Sequence, residues 1–430
     1  MEELWAFQSL FHDCFARSES RAHFFDYMAG PLSPLARQSI EPMALRIQRS
    51  SIRGLQRCIS HVSWDEEHML WTYHQLLADT MGDPNGGVMF DEPGFVKKGQ
   101  ESVGVARPYC GPLGKVEHCQ VGGGAGYASR HGYALVDKRL FLPAGWFTDP
   151  YAARRSTCQV PPALTFQSKP QLAATMLQAI VRGGLLPCKY VVADCLYGTS
   201  PTFLDAVDTC VGVTALGAIP ADTRCGLQRP RTEDKTYTYK GEGHTQRVVV
   251  SPTHALPSVA ALAASLPASS WYPRTVSEGT QGPMTYAFAR QRVTLGKEDL
   301  PDRTVWLVLK RTGGTEPTYT SYISNAPAST PLRTFVWRSG VRWAVEQCFE
   351  ESKTELGLAH YEVRKYPGWH HHMLTTRLAH FFLWHVKLHV GKKSPSIDGV
   401  ASADALGGGL APPPLYPGRD VGVGHLGTAT

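Results

Sequence analysis

The segment LAATMLQAIVRGGLLPCKYVVADCLYGTSPTFLDAV, residues 172–207, alternates helix-like and strand-like patterns. Apolar side chains recur at helical spacing over residues 172–181, whereas the apolar run at residues 190–193 is typical of a buried strand. Pro201 then opens a second helix-like stretch over residues 202–207. Because a helix, a strand and a helix follow one another, we expect an α/β core.

The regions on either side of this segment differ in texture and predict further structural units. Apolar residues at helical spacing, interrupted at Gly30 and Pro31, predict several short helices near the N-terminus. Short strand-like runs begin at Val88, and irregular strand-like runs separated by Pro and Gly follow the segment. We expect a helical N-terminal domain over 1–80, the first part of the core over 81–211, a β-rich insertion over 212–318, the second part of the core over 319–391 and a disordered tail over 392–430.

The composition is that of an ordinary globular chain with a mild basic excess. Of its 430 residues, 43% are hydrophobic and 19% are charged, which argues against wholesale disorder. The net charge of +6 suits a polyanionic partner without proving one. The ten cysteines are scattered without a Cys-x-x-Cys pair, so we expect reduced, mostly buried thiols. Since no secretory signal and no apolar run of about 18 residues is visible, we expect a cytoplasmic protein without membrane contact.

Two aspartates each follow directly on an apolar, strand-like run. Asp91 follows residues 88–90, and Asp194 follows residues 190–193. If the two strands are neighbours in one sheet, the two carboxylates meet at the same edge. For either aspartate alone, a turn or helix-cap residue is a better interpretation than a residue of a functional site. The context that the two aspartates share makes the second interpretation more favourable than it is for one alone.

A third carboxylate lies on a charged helix near the end of the expected core. Arg342, Glu346, Glu350 and Lys353 fall on one stripe at about 3.6 residues per turn. Taken alone, such a stripe is more often a solvated face with Arg–Glu pairs. Together with the two aspartates, however, Glu346 completes a set of oxygen ligands able to hold two Mg²⁺ or Mn²⁺ ions about 4 Å apart.

These residues resemble the insertion-sequence transposases of the DDE type, whose catalytic core is ribonuclease-H-like. The most specific part of the resemblance is an Arg, a Glu four residues later and a Lys seven residues beyond, which Arg342, Glu346 and Lys353 match. The other carriers are Asp91-Glu92-Pro93-Gly94-Phe95, Lys97-Lys98-Gly99, Val103-Gly104-Val105-Ala106-Arg107, Tyr109-Cys110-Gly111, Gly114-Lys115, Ala193-Asp194, Tyr197-Gly198 and Tyr322-Ile323-Ser324-Asn325-Ala326-Pro327.

The resemblance implies a fold and a set of roles. The fold is a ribonuclease-H-like mixed sheet flanked by helices, with the β-rich insertion between the second Asp and the Glu. Asp91, Asp194 and Glu346 are implied to be the catalytic metal ligands, and Lys353 is implied to contact DNA. The helical domain over 1–80 is then expected to bind the ends of the element.

Basic and aromatic side chains complete the expected DNA contacts. Trp271 matches the insertion-domain Trp that related transposases use for a flipped base, although ordinary packing is the better interpretation. The histidines at residues 370–372 are expected at the surface or facing DNA, because adjacent helix residues cannot chelate one ion together. For Lys97 and Lys98, a solvated pair of surface lysines is an equally good interpretation. The candidates for phosphate contacts are Lys97, Lys98, Arg342 and Lys353.

The expected function is that of a DNA transposase of the bacterial nucleoid. As a homodimer it binds the terminal inverted repeats of its element, cleaves the strand and transfers it to target DNA. Departures from the family pattern at Pro93, at Ser339 and in the glycine-rich strand over residues 120–126 keep one alternative open, a catalytically impaired, transposase-derived DNA-binding protein. A metal-dependent DNA nuclease without strand transfer is the other alternative.

Overall fold

The computed structural model describes residues 2–47, 50–106, 109–110, 115–240, 242–250, 256–279, 282–297, 300–314 and 316–391. The tail over 392–430, for which disorder is expected, lies outside these residues. The helices are α1 (Glu2–Ser9), α2 (Ser18–Ala29), α3 (Ile40–Ile47), α4 (Ile52–Ser60), α5 (Glu66–Met81), α6 (Ala152–Thr157), α7 (Lys169–Gly183), α8 (Cys195–Gly198), α9 (Pro201–Thr209), α10 (Val259–Ser265), α11 (Leu332–Thr354) and α12 (Tyr366–Gly391). The strands are β1 (Gly87–Asp91), β2 (Gly94–Val96), β3 (Tyr109–Cys110), β4 (Lys115–Val116), β5 (Cys119–Ser129), β6 (Gly132–Phe141), β7 (Tyr190–Ala193), β8 (Thr214–Ile219), β9 (Cys225–Gly226), β10 (Thr232–Tyr239), β11 (Glu242–Val249), β12 (Tyr272–Gly279), β13 (Gly282–Lys297), β14 (Leu300–Arg311) and β15 (Tyr319–Ser324).

The centre of the molecule is one mixed β-sheet. β5 pairs antiparallel with both β1 and β6, and β7 and β8 follow on the other side of β1 in parallel. The order β6-β5-β1-β7-β8 is the ribonuclease-H-like arrangement. α7 faces one side of β5, where its Met176 lies beneath Gly123, whereas α11 and α12 cover the other side. The expected fold, a mixed sheet flanked by helices, is confirmed.

Local sequence accounts for the elements that precede and follow β7. α7 begins with a capping box in which Ser168 and Gln171 bond each other's backbone N–H groups. It ends at Gly184, whose φ of 67° lies in the left-handed region that favours glycine. Ser200 caps α9, which starts at Pro201. Strong helix signals on both sides therefore delimit the short apolar strand between them.

The β-rich region extends the central sheet beyond β8. β15, β14, β13 and β12 follow one another there, each antiparallel to its neighbour, while β10 and β11 form a separate ribbon. β8 itself lies in the segment assigned to the insertion, yet it pairs in parallel with β7 as a core strand. Close packing explains this placement, since a Cβ at Gly217 would lie 2.6 Å from the Gly198 Cα. β8 thus belongs to the central sheet, and the boundaries of the insertion stay a prediction.

The N-terminal helices share one hydrophobic core with the sheet. α2, α4 and α5 contact α12, which also covers β6. The histidine tract expected at the surface is buried in this contact, with His370, His371 and His372 between 1% and 8% exposed. Partners inside the core explain the burial. His371 stacks on Trp64 at 4.1 Å between ring centroids, and His372 Nδ1 lies 2.8 Å from the Tyr27 hydroxyl.

Composition predicts reduced, mostly buried thiols and no membrane-spanning segment. The cysteines that the structure describes are free thiols, and most of them are buried, as expected. Cys195 is an exception, because its side chain is exposed at the start of α8. Across the described ranges, none of the helices has the length and the apolar character that a membrane span requires.

Candidate active site

Asp91 and Asp194 lie at the same edge of the central sheet. Asp91 is the last residue of β1, and Asp194 follows directly on β7. The two strands run in parallel with Met89 opposite Val192, so that Asp91 comes level with Asp194 two residues further on. The two strand ends are therefore neighbours, and parallel pairing brings both aspartates to one edge.

Asp194 also has a structural task, because it caps α8. Its Oδ1 accepts hydrogen bonds from the backbone N–H groups of Leu196 at 2.9 Å and Tyr197 at 3.4 Å. A side-chain oxygen in this position satisfies N–H groups that the first turn of a helix leaves open. The interpretation of Asp194 as a helix cap is thus correct, and the cap holds its carboxylate at the sheet edge.

Glu346 lies on α11, which packs closely against the sheet beside Asp91. The strand residue opposite Asp91 is Gly124, and a side chain at that position would collide with Phe349 of α11. Two residues further along β5, a Cβ at Gly126 would lie 3.0 Å from Val345. The glycines that weaken β5 as an isolated strand therefore make room for the helix that carries Glu346.

An open cleft of about 360 Å³ separates the end of β1 from α11. Asp91, Glu346 and Lys353 contribute to its walls. Arg342 pairs with Glu346, with 2.6 Å between its Nη2 and the glutamate Oε1. Asp194 stands outside this wall, directly after β7, the strand that pairs with β1. The cleft thus brings two of the expected ligands together, and strand pairing adds the third.

The carboxylates at this edge repel one another. Burial raises the pKa of Asp91, and the nearby charges of Glu346 and Asp194 raise it further, whereas the Glu92 N–H and the Arg342 guanidinium act in the opposite direction. A divalent cation would relieve the repulsion, and carboxylate oxygens are the ligands that Mg²⁺ prefers. Within the described ranges, no three Asp, Glu, His or Cys side chains are arranged to hold a metal ion. The donor chemistry therefore fits a hard cation, while the ligand set is not closed.

The expected phosphate contacts do not all lie at the site. Lys353 lines the cleft and Lys98 is exposed, whereas Lys97 is half-buried. The Lys97 amino group donates to the Tyr361 carbonyl at 3.1 Å and lies 3.3 Å from the centroid of the Tyr361 ring. Burial lowers the pKa of Lys97 to about 7. Tyr361 thus engages the amino group of Lys97, and a phosphate contact at this residue stays a prediction.

Trp271 is packed inside the β-rich region. Its side chain is 8% exposed, and its ring centroid lies 5.9 Å from that of Tyr319. The guanidinium carbon of Arg311 covers the indole at 4.3 Å from the ring centroid. The indole is not open to a flipped base in this arrangement, so the structure places Trp271 as ordinary packing would.

Three charged residues near the carboxylates were not expected as part of the site. Glu92 accepts a hydrogen bond from the Tyr197 hydroxyl at 2.7 Å, and Lys169 Nζ lies 3.4 Å from its other oxygen. Burial lowers the pKa of Lys310 on β14, and the charge of Arg342 lowers it further. The sequence could have indicated Glu92 as part of the site, since it follows Asp91 directly. It contains no pattern that indicates Lys310, because the position of Lys310 depends on the order of strands in the sheet.

Comparison with known proteins adds three similarities. Residues 10–283 match the model of a family described as DDE superfamily endonuclease, a span that includes Asp91 and Asp194 and ends before Glu346. A relative from Microchaete diplosiphon, named "Probable transposase for insertion sequence element IS701", is 24% identical over 350 residues, which are 80% of this chain and 77% of the relative. The cryo-EM structure of the piggyBac transposase synaptic complex with hairpin DNA is similar over 89% of this chain and 69% of that chain, at 10% identity and a TM-score of 0.44.

Proposed function

The chain belongs to the DDE superfamily of endonucleases and is a transposase of the DDE type, and we propose that it cuts DNA at the ends of an insertion sequence and joins those ends to target DNA. The observation that supports this proposal is the position of Asp91 and Asp194 at the ends of two paired strands, with Glu346 lining the same cleft as Asp91. Parallel pairing of β1 with β7 aligns the aspartates. The glycines of β5 seat α11 beside them.

In this proposal Asp91, Asp194 and Glu346 hold two divalent cations, Mg²⁺ or Mn²⁺. When bound, such a pair activates the attacking oxygen and stabilises the leaving oxygen of a phosphodiester. Asp194 is oriented for this task by its hydrogen bonds to α8, and Glu346 by its ion pair with Arg342. The repulsion that raises the pKa of Asp91 supports the assignment, because a cation removes the cause of that repulsion.

The proposed reaction has two steps that share one set of residues. First, water attacks the phosphorus at the element end, the bond from phosphorus to the 3′ oxygen breaks, and a 3′-hydroxyl and a 5′-phosphate are released. Second, that 3′-hydroxyl attacks a phosphorus of the target strand and displaces the target's own 3′ oxygen. The carboxylate edge orients the reacting groups in both steps, which replaces a bimolecular encounter by a positioned one.

Basic residues beside the carboxylates are proposed to hold the DNA backbone. Lys353 lines the cleft, Arg342 pairs with Glu346, Lys310 lies on β14, and Lys98 is exposed. Such contacts neutralise phosphates and position DNA without reading its sequence, so the affinity falls as salt rises. Lys97 is left out of this set because its amino group is engaged by Tyr361. The N-terminal helices are proposed to bind the terminal inverted repeats, with a homodimer holding two ends together.

Replacement of Glu346 tests the proposal. We expect Glu346→Ala to lower the rate of end cleavage in Mg²⁺ by at least about 1,000-fold, equivalent to about 4 kcal/mol of transition-state stabilisation. Binding to the same DNA should persist, because the change removes a negative charge. Glu350→Ala is the matched control, since Glu350 lies one turn later on α11 and lines the same cleft. Full cleavage by Glu346→Ala would overturn the proposal.

The same assay separates the two alternative functions. A DNA-binding protein derived from a transposase would bind the ends and leave them uncut in the wild type. A nuclease without strand transfer would release 3′-hydroxyl ends but never joined products. The packing of α11 onto Gly124 and Gly126 accounts for glycines that otherwise suggested an impaired enzyme, so the structure favours neither alternative.

A further inference from the structure

Glu92 follows Asp91 directly, and its half-buried side chain contacts α7 and α8. Consecutive residues in an extended chain point to opposite sides, so one acid faces α11 and the next faces α7 and α8. The Glu92 side chain is 15% exposed. Its Oε2 accepts a hydrogen bond from the Tyr197 hydroxyl at 2.7 Å, and its Oε1 lies 3.4 Å from the Lys169 ammonium. Both oxygens of this carboxylate are therefore engaged.

Tyr197 connects Glu92 to the second aspartate of the site. Its backbone N–H donates to the Asp194 carboxylate at 3.4 Å, while its hydroxyl donates to Glu92. The side chain is 1% exposed and packs between Phe90 and Phe203, at 6.1 Å and 5.4 Å between ring centroids. A ring held in this way acts as a rigid strut from the Asp194 turn to the residue after Asp91.

The Asp194 turn has little freedom to move on its other side. Gly198, the last residue of α8, rests directly on the backbone of β8 at Gly217 and Ala218, with no room for a Cβ. The turn is thus held against β8 from below and against the end of β1 through Tyr197. A change in the Tyr197 bond to Glu92 will therefore alter the spacing of the two aspartates rather than shift the turn as a whole.

Lys169 adds a charge contact that its own helix does not favour. It is the first residue of α7, where the helix dipole stabilises anions and disfavours cations. Its pairing with Glu92 offsets that cost, and it ties the start of α7 to the end of β1. Three elements, α7, β1 and α8, thus meet at the Glu92 carboxylate.

We propose that Glu92 is a positioning residue, which together with Tyr197 and Lys169 sets the separation of the Asp91 and Asp194 carboxylates and hence their affinity for divalent cations. We call these three residues the Glu92 brace. The inference rests on the proposed function, because it assigns the brace to the metal ligands named there. Residues that orient metal ligands from behind typically change metal affinity by about 10-fold to 100-fold when they are replaced.

The experiment measures Mn²⁺ binding to the full chain by isothermal titration calorimetry, and the Mg²⁺ concentration that gives half-maximal end cleavage. Tyr197→Phe removes only the hydroxyl, and we expect it to weaken Mn²⁺ binding about 10-fold and to raise the Mg²⁺ requirement equally. Glu92→Ala should weaken binding at least as much. Glu92→Gln keeps an oxygen acceptor for Tyr197 and should restore binding to within about 3-fold of wild type.

Tyr73→Phe is the matched control for a loss of structure alone. The Tyr73 hydroxyl is fully buried and donates to the Leu135 carbonyl at 2.7 Å, away from the aspartates. Its loss should lower the melting temperature and leave Mn²⁺ affinity unchanged. Thermal unfolding is recorded for every variant, and Tyr197→Phe carries the test if Glu92→Ala does not fold.

Three outcomes would overturn the brace. If Tyr197→Phe has the Mn²⁺ affinity and the Mg²⁺ requirement of the wild type, the brace is refuted. The proposed function still holds in that case, because the wild type cleaves DNA. If Glu92→Gln binds Mn²⁺ as weakly as Glu92→Ala does, while Tyr197→Phe binds it normally, then Glu92 is a metal ligand and not a positioning residue. A wild type that neither binds Mn²⁺ nor cleaves DNA removes the proposed function and the brace together.

Discussion

Two groups of charged residues on the same sheet are built in opposite ways. The ion cluster, formed by Glu66, Asp137, Lys138, Arg139 and Arg377 between α5, β6 and α12, pairs its carboxylates with cations. Lys138 Nζ lies 3.1 Å from a Glu66 oxygen, and Arg139 lies 2.7 Å from Asp137. At the carboxylate edge, the ion pairs of the described residues include Glu346 with Arg342 but neither aspartate.

The pKa shifts of the two groups run in opposite directions. Burial acts to raise the pKa of Glu66, but Lys138 and His371 outweigh it, so that the pKa is lowered. Burial also raises the pKa of Asp91, and there Glu346 and Asp194 add to the rise. A buried carboxylate with a partner serves the fold, whereas carboxylates left facing one another are stable only when something else supplies the positive charge. The difference distinguishes structural from functional acids in this chain.

Removing a charge from the carboxylate edge should separate activity from stability most strongly. We expect Asp91→Asn to lower end cleavage by at least about 1,000-fold, since a metal ligand is lost. Its melting temperature should equal or exceed that of the wild type in metal-free buffer, because a repelled, partly buried charge is gone. Cleavage assays and thermal unfolding in EDTA test this. A marked loss of stability in Asp91→Asn would mean that Asp91 stabilises the fold as the carboxylates of the ion cluster do.

Removing a charge from the ion cluster should have the opposite signature. Lys138→Met leaves the half-buried Glu66 without its nearest cation, and we expect the free energy of unfolding to fall by about 2–3 kcal/mol, less than for a fully buried pair. Lys235→Met is the control, because the Lys235 pair with Glu233 at 3.4 Å is well exposed and should contribute at most about 1 kcal/mol. Urea unfolding of both variants decides the matter. Equal, small losses would mean that burial does not govern the cluster.

The approach of α11 to the carboxylate edge can be disturbed without touching a charge. Gly124→Ala forces a Cβ against Phe349, and we expect it to cost about 1–3 kcal/mol of stability and to reduce cleavage by displacing Glu346. Gly123→Ala is the control, since its Cβ would face α7 and meet Met176 at an ordinary 3.5 Å. Retained cleavage in Gly124→Ala would show that Glu346 does not depend on this glycine.

Lys97 is a half-buried cation whose charge the fold disfavours, and its replacement has the smallest expected effect. Burial lowers its folded pKa to about 7, below the value of 10.5 for an unperturbed lysine. Between these values the unfolded chain binds the extra proton, so the wild type gains stability as pH rises, by at most about 1.4 kcal/mol per pH unit. The stability of Lys97→Met relative to wild type should therefore fall between pH 7 and pH 8.5, as measured by urea unfolding. A pH-independent difference would mean that Lys97 stays charged and solvated.

Much of the site follows from patterns between near neighbours in the chain. The short apolar run at residues 190–193, delimited by helix signals, forms a strand that is buried along its whole length. Asp194 caps the next helix because a carboxylate after a strand meets free N–H groups. Arg342 and Glu346 pair because four residues make about one helical turn. These features were predictable, since the interacting groups are brought together by the chain itself.

Other features depend on surfaces that meet only after folding. Gly124 suggests a weak strand until Phe349 lies against it, and only then does it explain how Glu346 comes to stand beside Asp91. Lys97 and Trp271 are of residue types that often contact DNA. In the folded protein, however, the Lys97 amino group packs on the Tyr361 ring, and the Arg311 guanidinium packs on the Trp271 ring.

The sequence by itself determined the α/β core and the two aspartates at strand ends, because apolar periodicity and helix signals are local. The tertiary structure alone decided which strand extends the core, which cations stay in water and how close Glu346 comes to Asp91. Those outcomes depend on the packing of segments that are distant in the chain. No local pattern records which side chain will fill the space that a glycine leaves open.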